Sequence, residues 1–406
     1  MPMNQPTQLK RGLSLWLLLF YGLGNILGAG IYVLVGKVAG SAGLFAPVAF
    51  LVASLVAAFT ALSYAELVAR YPLSAGEAVY VQKGLGLPAL SVIVGLLIVL
   101  MGAVSAATIA RGFVGYLDIL IEVPNAVAIA LLVVVLGMTA TWGIVESVSI
   151  AALVTLVELL GLAMVLAVAG DSLFTIPERL PELMPPMDPV IWQGILFGAF
   201  LAFYAFVGFE DMVNVAEEVR NPVRNVPLAI LIALGVTTLL YAAVSLTAVL
   251  TVAPQQLAAS DAPLATVYQQ ATGSKPVVLS IISIFAVVNG ALIQIIMGSR
   301  ILYGMSRQGW LPALFGGVWR KTQTPVAATI ATAAVVLVLA LWLPLVTLAR
   351  STSFLVLLIF SLMNLSLLCI KWRDPHPEGL RVIPQWVPAG GIMASLGLLL
   401  FQVFAG

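Results

Sequence analysis

Eleven long apolar runs divide the sequence, and each is close to the length that a helix needs to cross a membrane. A hydrocarbon core about 30 Å thick is crossed by roughly 20 apolar residues in an α-helix. The runs are bounded by charged residues, proline or glycine, so the sequence predicts an all-α integral membrane protein surrounded by the lipid bilayer. The expected spans are residues 13–36, 45–69, 88–116, 124–141, 144–170, 191–215, 226–252, 276–303, 325–344, 352–370 and 386–404.

The low charge content excludes several other classes of protein. Charged side chains make up 9% of the 406 residues and hydrophobic ones 62%, whereas about a quarter of a soluble chain is charged. No basic run is present that would bind nucleic acid. The single histidine, His376, and the single cysteine, Cys369, leave no set of residues for a metal site or a histidine-based triad. We therefore expect no enzymatic activity, no cofactor and no nucleic-acid partner.

The basic residues indicate how the chain is oriented in the membrane. With the N-terminus in the cytoplasm, 13 of the 18 lysines and arginines lie at the cytoplasmic ends of the spans. Basic residues favour the cytoplasmic side of a membrane. We therefore expect a multi-pass protein of the cell (cytoplasmic) membrane, with residues 1–12 in the cytoplasm and the C-terminus outside. Residues 171–190 are then an extracellular or periplasmic loop, and residues 371–385 a cytoplasmic loop.

Two of the spans contain glycine where a regular helix disfavours it. Span one carries Gly22, Gly24, Gly28 and Gly30 near its middle, and each glycine costs about 1 kcal/mol relative to alanine. Close helix packing explains such a cluster, and so does an unwound segment that faces a cavity. Span six has Gly208 inside an aromatic run that leads directly into two acids. Interruptions at corresponding places in two halves of a chain are typical of inverted-repeat transporters, which favours unwinding.

Four blocks of sequence stand out, at residues 25–31, 63–67 with 71–80, 207–227 and 300–312. In this order they resemble the amino acid/polyamine/organocation superfamily of transporters. The block that runs from Val207 to Pro227 is the most specific, and the resemblance covers nearly the whole chain. It implies a leucine-transporter-type fold of two five-helix inverted repeats, residues 13–170 and 191–370, with helices 1 and 6 discontinuous and one extra C-terminal helix in residues 386–406.

The resemblance also implies where an amino acid binds. Free N–H groups at Gly28, Ala29 and Gly30 would bind the carboxylate at the start of a half-helix. Carbonyl groups near Ile26 and Ala205 would accept from the ammonium group. The expected pocket walls are small or apolar, which favours uncharged amino acids. The expected substrate-binding residues are Ile26, Gly28, Ala29, Gly30, Ile31, Ala103, Ser105, Tyr204, Ala205, Phe206, Gly208 and Ile293.

Ionisable residues within the spans are candidates for coupling and gating, because a charge at that depth costs at least a few kcal/mol. Glu158 lies mid-span where some members of the superfamily carry a coupling lysine, and we expect it to load and release a proton. A structural role for Glu158 is the alternative. Glu210 directly follows the interruption of span six. It is a candidate gating residue, and the alternative is an acid that is favoured at a helix N-terminus. Tyr204 resembles an aromatic gate residue, and simple packing is its alternative.

Charged residues at the cytoplasmic ends of the spans are expected to be structural. We expect Glu66 and Arg300 to form ion pairs, and we expect Glu217, Glu218 and Arg220 to form a solvated cap.

The expected function is secondary active transport of uncharged amino acids by alternating access. Proton symport is the leading hypothesis, with sodium coupling, exchange and export as alternatives within the same fold. A membrane enzyme is disfavoured because no nucleophile and base lie at one depth. A channel is disfavoured because it does not need two interrupted helices of opposite topology.

Overall fold

Long apolar helices make up most of the described chain, because a backbone in lipid must satisfy its own hydrogen bonds. The computed structural model describes residue 9 and residues 11–74, 76–117, 123–260, 262–342 and 345–405. Its α-helices are α1 Leu15–Ala42, α2 Ala46–Arg70, α3 Gly76–Leu85, α4 Pro88–Leu117, α5 Asn125–Trp142, α6 Ile144–Ala169, α7 Ile176–Leu183, α8 Pro189–Tyr204, α9 Pro222–Thr251, α10 Pro254–Ala259, α11 Pro263–Thr272, α12 Val277–Arg307, α13 Val326–Trp342, α14 Leu345–Arg373 and α15 Trp386–Ala405. Short 3₁₀ segments occupy Gly43–Phe45, Gly170–Thr175, Phe209–Glu218 and Ala313–Gly316.

The predicted membrane-spanning character is confirmed. Eight helical stretches are long and apolar enough to cross a bilayer, and each overlaps one of the expected spans. The three other expected spans coincide with shorter apolar stretches, namely Leu15–Leu27, Val326–Trp342 and Trp386–Phe401. The chain is therefore an all-helical membrane protein, and the total of eleven crossings stays a prediction.

Two segments expected as connections contain additional helices. Helix α7 lies within the expected loop 171–190, and α10 and α11 lie between spans seven and eight. Each of the three helices has a proline in its first turn. Proline is favoured there because its fixed φ suits the helix and its missing N–H has no intrahelical partner to lose. The prolines thus begin helices at positions where the sequence analysis expects irregular structure.

The expected interruption of span one is corrected by the structure. Helix α1 is continuous from Leu15 to Ala42 and includes Gly28, Ala29 and Gly30, so the backbone N–H groups there belong to the helix. Each glycine costs about 1 kcal/mol, whereas a backbone group freed in an apolar surrounding costs several. Keeping the helix intact is therefore the smaller cost. The surroundings of Gly28, Ala29 and Gly30 lie outside what the structure describes.

Close packing explains the two other glycines of the cluster. A Cβ atom on Gly22 would collide with the side chain of Met212, and one on Gly24 would collide with Thr155. Both glycines let α1 approach its neighbours without steric conflict. Helix α1 lies at the centre of the bundle and contacts α6, α8, α9 and α12.

The expected interruption of span six is present. Helix α8 ends at Tyr204, a turn follows, and the chain continues as the 3₁₀ segment Phe209–Glu218. Gly208 has φ +132°, a backbone conformation that side chains with a Cβ atom rarely adopt. Glycine at this position therefore allows the change of direction between α8 and the 3₁₀ segment.

Candidate functional site

Two carbonyl groups that were expected to bind an ammonium group converge on one side chain. The Tyr241 hydroxyl oxygen lies 2.7 Å from the Ile26 carbonyl oxygen and 2.9 Å from that of Ala205. A hydroxyl carries a single proton, so Tyr241 donates to one of the two carbonyls at a time. The Phe206 ring packs edge-on against Tyr241 with ring centroids 5.0 Å apart. The structure thus brings Ile26, Ala205 and Phe206 together.

Tyr241 is a site residue that the sequence analysis does not identify. It lies in the middle of α9 and is fully buried. A hydroxyl group at that depth of an apolar helix is itself a signal, because a buried tyrosine hydroxyl normally finds a hydrogen-bond partner.

A hydrogen-bonded cluster lies directly after the turn in span six. The Gly208 N–H donates to Glu210 Oε2 at 2.8 Å, and the Gly208 carbonyl accepts from Asn25 Nδ2 at 3.2 Å. Asn25 also donates to the Asp211 carboxylate. Gln294 Nε2 donates to Asp211 Oδ2 at 2.9 Å and to Asn25 Oδ1 at 3.2 Å. The cluster joins α1, the 3₁₀ segment and α12 at the level of Gly208.

The other expected substrate-binding residues lie in the interior. Ile31, Ala103 and Ile293 are buried. Ser105 in α4 and Tyr204 in α8 are half-buried. Among the expected substrate-binding residues whose surroundings are described, these two are the only ones with a polar side chain.

Glu158 is buried between three helices. Its Oε1 atom accepts from Asn289 Nδ2 at 3.0 Å, and its backbone carbonyl accepts from the Tyr32 hydroxyl at 2.7 Å. Asn289 Nδ2 also donates to Thr155 Oγ1 at 3.1 Å. Glu158 Oε2 has no hydrogen-bond partner, and no basic residue pairs with the carboxyl group in the part of the chain that the structure describes. A neutral carboxylic acid suits these surroundings better than a carboxylate does.

Buried ion pairs join Arg70, Arg300 and Lys371 to nearby acids, and we call the part of the bundle that holds these pairs the basic end. Glu66 accepts from Arg70 at 2.7 Å and from Lys371 Nζ at 2.8 Å, and it also accepts from the Ile383 N–H. Glu66 therefore joins α2 to α14 and to the segment that follows it. The expectation of a structural ion pair at Glu66 fits this geometry.

Arg300 pairs with Glu218 across the interior of the basic end. Arg300 Nε lies 3.0 Å from Glu218 Oε2, and both side chains are fully buried. The expectation that Glu218 belongs to a solvated cap is therefore corrected. The reason is that the chain between Gly208 and Val219 continues inward as a 3₁₀ segment whose side chains are almost all buried. A buried carboxylate requires a partner of opposite charge.

Removing Arg300 is expected to destabilise the protein strongly. The Arg300→Gln variant leaves Glu218 buried and unpaired, and breaking a buried pair on one side costs about 3–5 kcal/mol. Thermal unfolding in detergent should show a large fall in the unfolding temperature. Arg220→Gln is the matched control, because Arg220 is exposed. Equal unfolding temperatures for the two variants would show that the pair contributes little.

Comparison with known sequences gives the family. The family model described as "Amino acid permease" matches residues 13–406. The vacuolar cationic amino acid transporter 4 of Arabidopsis thaliana is 31% identical over 91% of this chain, which spans 65% of that relative's length. An uncharacterized transporter of Mycobacterium tuberculosis is 32% identical over the whole chain and 90% of the relative. The branched-chain amino acid permease BcaP of Bacillus subtilis is 28% identical, with 98% and 87% covered.

Comparison with solved structures gives the fold. The structure of a Na⁺-coupled sialic acid symporter in a substrate-bound outward-open state matches with a TM-score of 0.63. The match covers 97% of this chain and 91% of the symporter chain at 13% sequence identity. The likeness shows a leucine-transporter-type fold, as the resemblance implies.

Proposed function

This chain belongs to the amino acid permease family, and we propose that it carries uncharged amino acids across the cytoplasmic membrane in symport with protons. It is a transporter and not an enzyme. The proposed transport is secondary active and proceeds by alternating access. We further propose that the basic end faces the cytoplasm, because basic residues favour that side.

We also propose that the chain is organised as two repeats and one additional helix. Residues 13–170 and 191–370 form the two repeats, and residues 386–406 the additional helix.

The observation that carries the proposal is the pair of carbonyls at Ile26 and Ala205. The turn after Tyr204 brings the Ala205 carbonyl to the same hydroxyl group as the Ile26 carbonyl of α1. Since Tyr241 donates to only one of them at a time, an acceptor remains for a further donor such as an ammonium group. Phe206 lies in the same turn as Ala205 and packs against Tyr241, and Ser105 and Tyr204 lie on α4 and α8.

The choice of uncharged amino acids rests on what the nearby acids already bind. Glu210 accepts from the Gly208 N–H, and Asp211 accepts from Asn25 and Gln294. These hydrogen bonds hold both carboxyl groups against the protein, which disfavours their use in binding a cationic side chain. The relatives' names include both cationic and branched-chain amino acids, and for this chain the side-chain environment favours the uncharged class.

Glu158 supports protons as the coupling ion. Its Oε2 atom has no partner in the described residues, and the group is completely buried. A carboxyl group in such a place is stable when neutral and costly when ionised. Changes in its hydration during the transport cycle would therefore load and release a proton.

Binding measurements on the purified protein test the substrate class. A neutral amino acid such as leucine should bind, whereas its deaminated acid should bind at least about tenfold more weakly, because it loses a charge-assisted hydrogen bond to the carbonyl pair worth about 1.5–3 kcal/mol. Uptake into proteoliposomes should then require an inward proton gradient. Equal binding of leucine and its deaminated acid would contradict the site, and tighter binding of arginine than of leucine would contradict the substrate class.

A further inference from the structure

Glu77 is a buried acid that the proposed substrate site does not use. It lies in the short helix α3, at the basic end between spans two and three, and is 1% exposed. Neither carboxyl oxygen has a hydrogen-bond partner among the described residues, and none of the ion pairs found there includes it. An ionised carboxylate in this position would cost several kcal/mol. The arrangement is therefore compatible only with a neutral Glu77.

The neighbours of Glu77 include acids and hydroxyls but no base. Tyr64 and Asn214 are close to its carboxyl group without making a hydrogen bond of normal geometry. Helices α4, α12 and α14 also pack against α3, and over the described ranges they present no titratable group that acts on Glu77. The titratable and amide groups that face it are Tyr64 from α2, Tyr80 from α3 itself, and Glu210, Asp211 and Asn214 from the 3₁₀ segment.

Three of these neighbours have unused polar atoms that point to a ligand at this place. Tyr64 Oη, Tyr80 Oη and Asn214 Nδ2 are buried and lack a hydrogen-bond partner in the described chain, as do both oxygens of Glu77. Such atoms are rare in folded proteins, because each one costs free energy. With the two oxygens of Glu77, they surround the carboxyl group with polar atoms but with no positive charge among the described residues. Such surroundings let an acid hold a proton while it is buried and release it on hydration.

Glu77 lies where the basic end is closed. The Gly76 N–H donates to Asn214 Oδ1 at 3.1 Å, and the Ser74 N–H donates to Glu217 Oε1 at 2.9 Å. We call this contact of Ser74 and residues 76–80 with the 3₁₀ segment the cytoplasmic closure. Alternating access requires the closure to open when substrate is released into the cytoplasm, and water then reaches Glu77.

We propose that Glu77 is a proton-binding site that keeps the cytoplasmic closure shut while it is protonated. On opening, its O–H bond breaks, the proton passes to cytoplasmic water, and a carboxylate remains beside the acids Glu210 and Asp211. Mutual repulsion of these carboxyl groups then disfavours closing until Glu77 binds a proton again. The inference rests on the proposed transport function and adds a second proton site to Glu158.

The pH dependence follows from the effect of burial on the acid. Burial is the main cause that raises the pKa of Glu77 to about 8, the nearby charge of Glu210 acts in the same direction, and the polar groups around the carboxyl group act against both. In the open form, water returns the pKa towards the ordinary value of about 4.3. The closed form therefore binds the proton more tightly, so it is most favoured at low pH and loses this advantage as pH rises to about 8. Between these values one proton changes the open-to-closed ratio by up to about tenfold per pH unit.

Distance measurements by electron paramagnetic resonance on the full-length protein in nanodiscs test the proposal. Spin labels on cysteines at Leu87 and Val223, both exposed, report the separation across the closure in a Cys369→Ser background. Without any amino acid present, the population with the longer distance should increase from pH 5 to pH 8 and level off above. A distance distribution that is the same at every pH would overturn the proposal.

Three variants assign the effect to Glu77. Glu77→Gln mimics the protonated acid and should hold the short distance at every pH, whereas Glu77→Asp keeps a titratable group and should keep a pH-dependent transition. Glu378→Gln is the control, because Glu378 is exposed at the same end, and it should behave like the wild type. A pH response in Glu77→Gln equal to that of the wild type would overturn the assignment.

A second measurement remains informative if a labelled variant folds poorly. Infrared difference spectra of the unlabelled protein between pH 5 and pH 9 should show loss of a buried protonated carboxyl signal that is missing in Glu77→Gln. Neither experiment uses a substrate, so failure of amino acid uptake would refute the proposed function and leave the result at Glu77 unaffected. Proton-driven uptake without a pH-dependent closure would refute the inference alone.

Discussion

Amino acid uptake is expected to fall to background when Gly208 is replaced by alanine. Gly208 has φ +132°, and a residue with a Cβ atom forced into such a conformation stores about 1–3 kcal/mol of strain. The new Cβ atom would also lie 2.7 Å from Asn25 Nδ2 and 3.1 Å from the Asn25 backbone carbon. Relief of both conflicts requires α1 and the turn after Tyr204 to separate.

Loss of function follows because the same turn sets the positions of the two candidate acceptors. A shift at Gly208 moves the Ala205 carbonyl away from the Ile26 carbonyl and breaks the hydrogen bonds of Asn25 to Gly208 and Asp211. We expect the variant to insert into the membrane, to unfold at a lower temperature and to bind leucine much more weakly than the wild type.

The measurements are leucine binding, proteoliposome uptake and thermal unfolding. Gly397→Ala is the matched control, because a Cβ atom there meets nothing within 4 Å and alanine is the better helix former. The control should transport at the wild-type rate. Wild-type uptake by the Gly208→Ala protein would show that the turn is not part of the substrate site.

Replacement of Glu158 by glutamine should abolish accumulation of substrate while binding survives. Glutamine keeps the shape of the acid, and its side-chain oxygen can accept the same hydrogen bond from Asn289 Nδ2 that Glu158 Oε1 accepts. Its amide N–H groups lie beside Asn289, whose Oδ1 atom has no partner in the described structure. The variant is fixed in the neutral state, so it cannot release a proton during the cycle.

Two transport assays distinguish loss of proton coupling from loss of substrate binding, namely counterflow exchange and net uptake. Counterflow exchange needs only the loaded carrier to reorient, so it should continue in Glu158→Gln. Net uptake against a gradient needs the empty carrier to return with its coupling site changed, so it should disappear. Glu182→Gln is the control, because Glu182 is an exposed acid in α7, and it should behave like the wild type.

Two results would contradict the role of Glu158. If Glu158→Gln accumulates leucine with unchanged pH dependence, the residue is structural. If a sodium gradient alone drives uptake by the wild type, protons are not the coupling ion and Glu158 becomes a neighbour of a cation site.

Local features of the sequence were sufficient to predict much of the architecture. The thickness of the bilayer sets the length of each apolar run, so the spans can be recognised one at a time. The interruption at Gly208 was also predictable, since an aromatic run, a glycine and two acids follow one another within the chain. Each of these signals lies within about 25 residues, which is the scale on which periodicity and composition operate.

Features that depend on distant partners were not predictable. Asn289 lies 131 residues from Glu158, and Tyr241 lies 215 residues from Ile26, so neither pairing leaves a pattern in the sequence. The glycine cluster of span one fits both unwinding and close packing locally. The choice between them needs the structure, in which Met212 packs against Gly22 and Thr155 packs against Gly24. These contacts show that close packing explains Gly22 and Gly24.

The contacts between the first and sixth spans also affect when α1 can fold into its final surroundings during synthesis of the chain. Leu13 exchanges backbone hydrogen bonds with Glu218 and Arg220, and the side chain of Asn25 binds the Gly208 carbonyl 183 residues later. At about 5–20 residues per second, the ribosome needs on the order of ten to forty seconds to supply that stretch. Throughout this interval the amide of Asn25 has neither of its native acceptors on the sixth span. Helix α1 is made before the sixth span but is among the last parts to reach its final surroundings. Lipid, the insertion machinery or water at the membrane surface must accommodate its polar side until then.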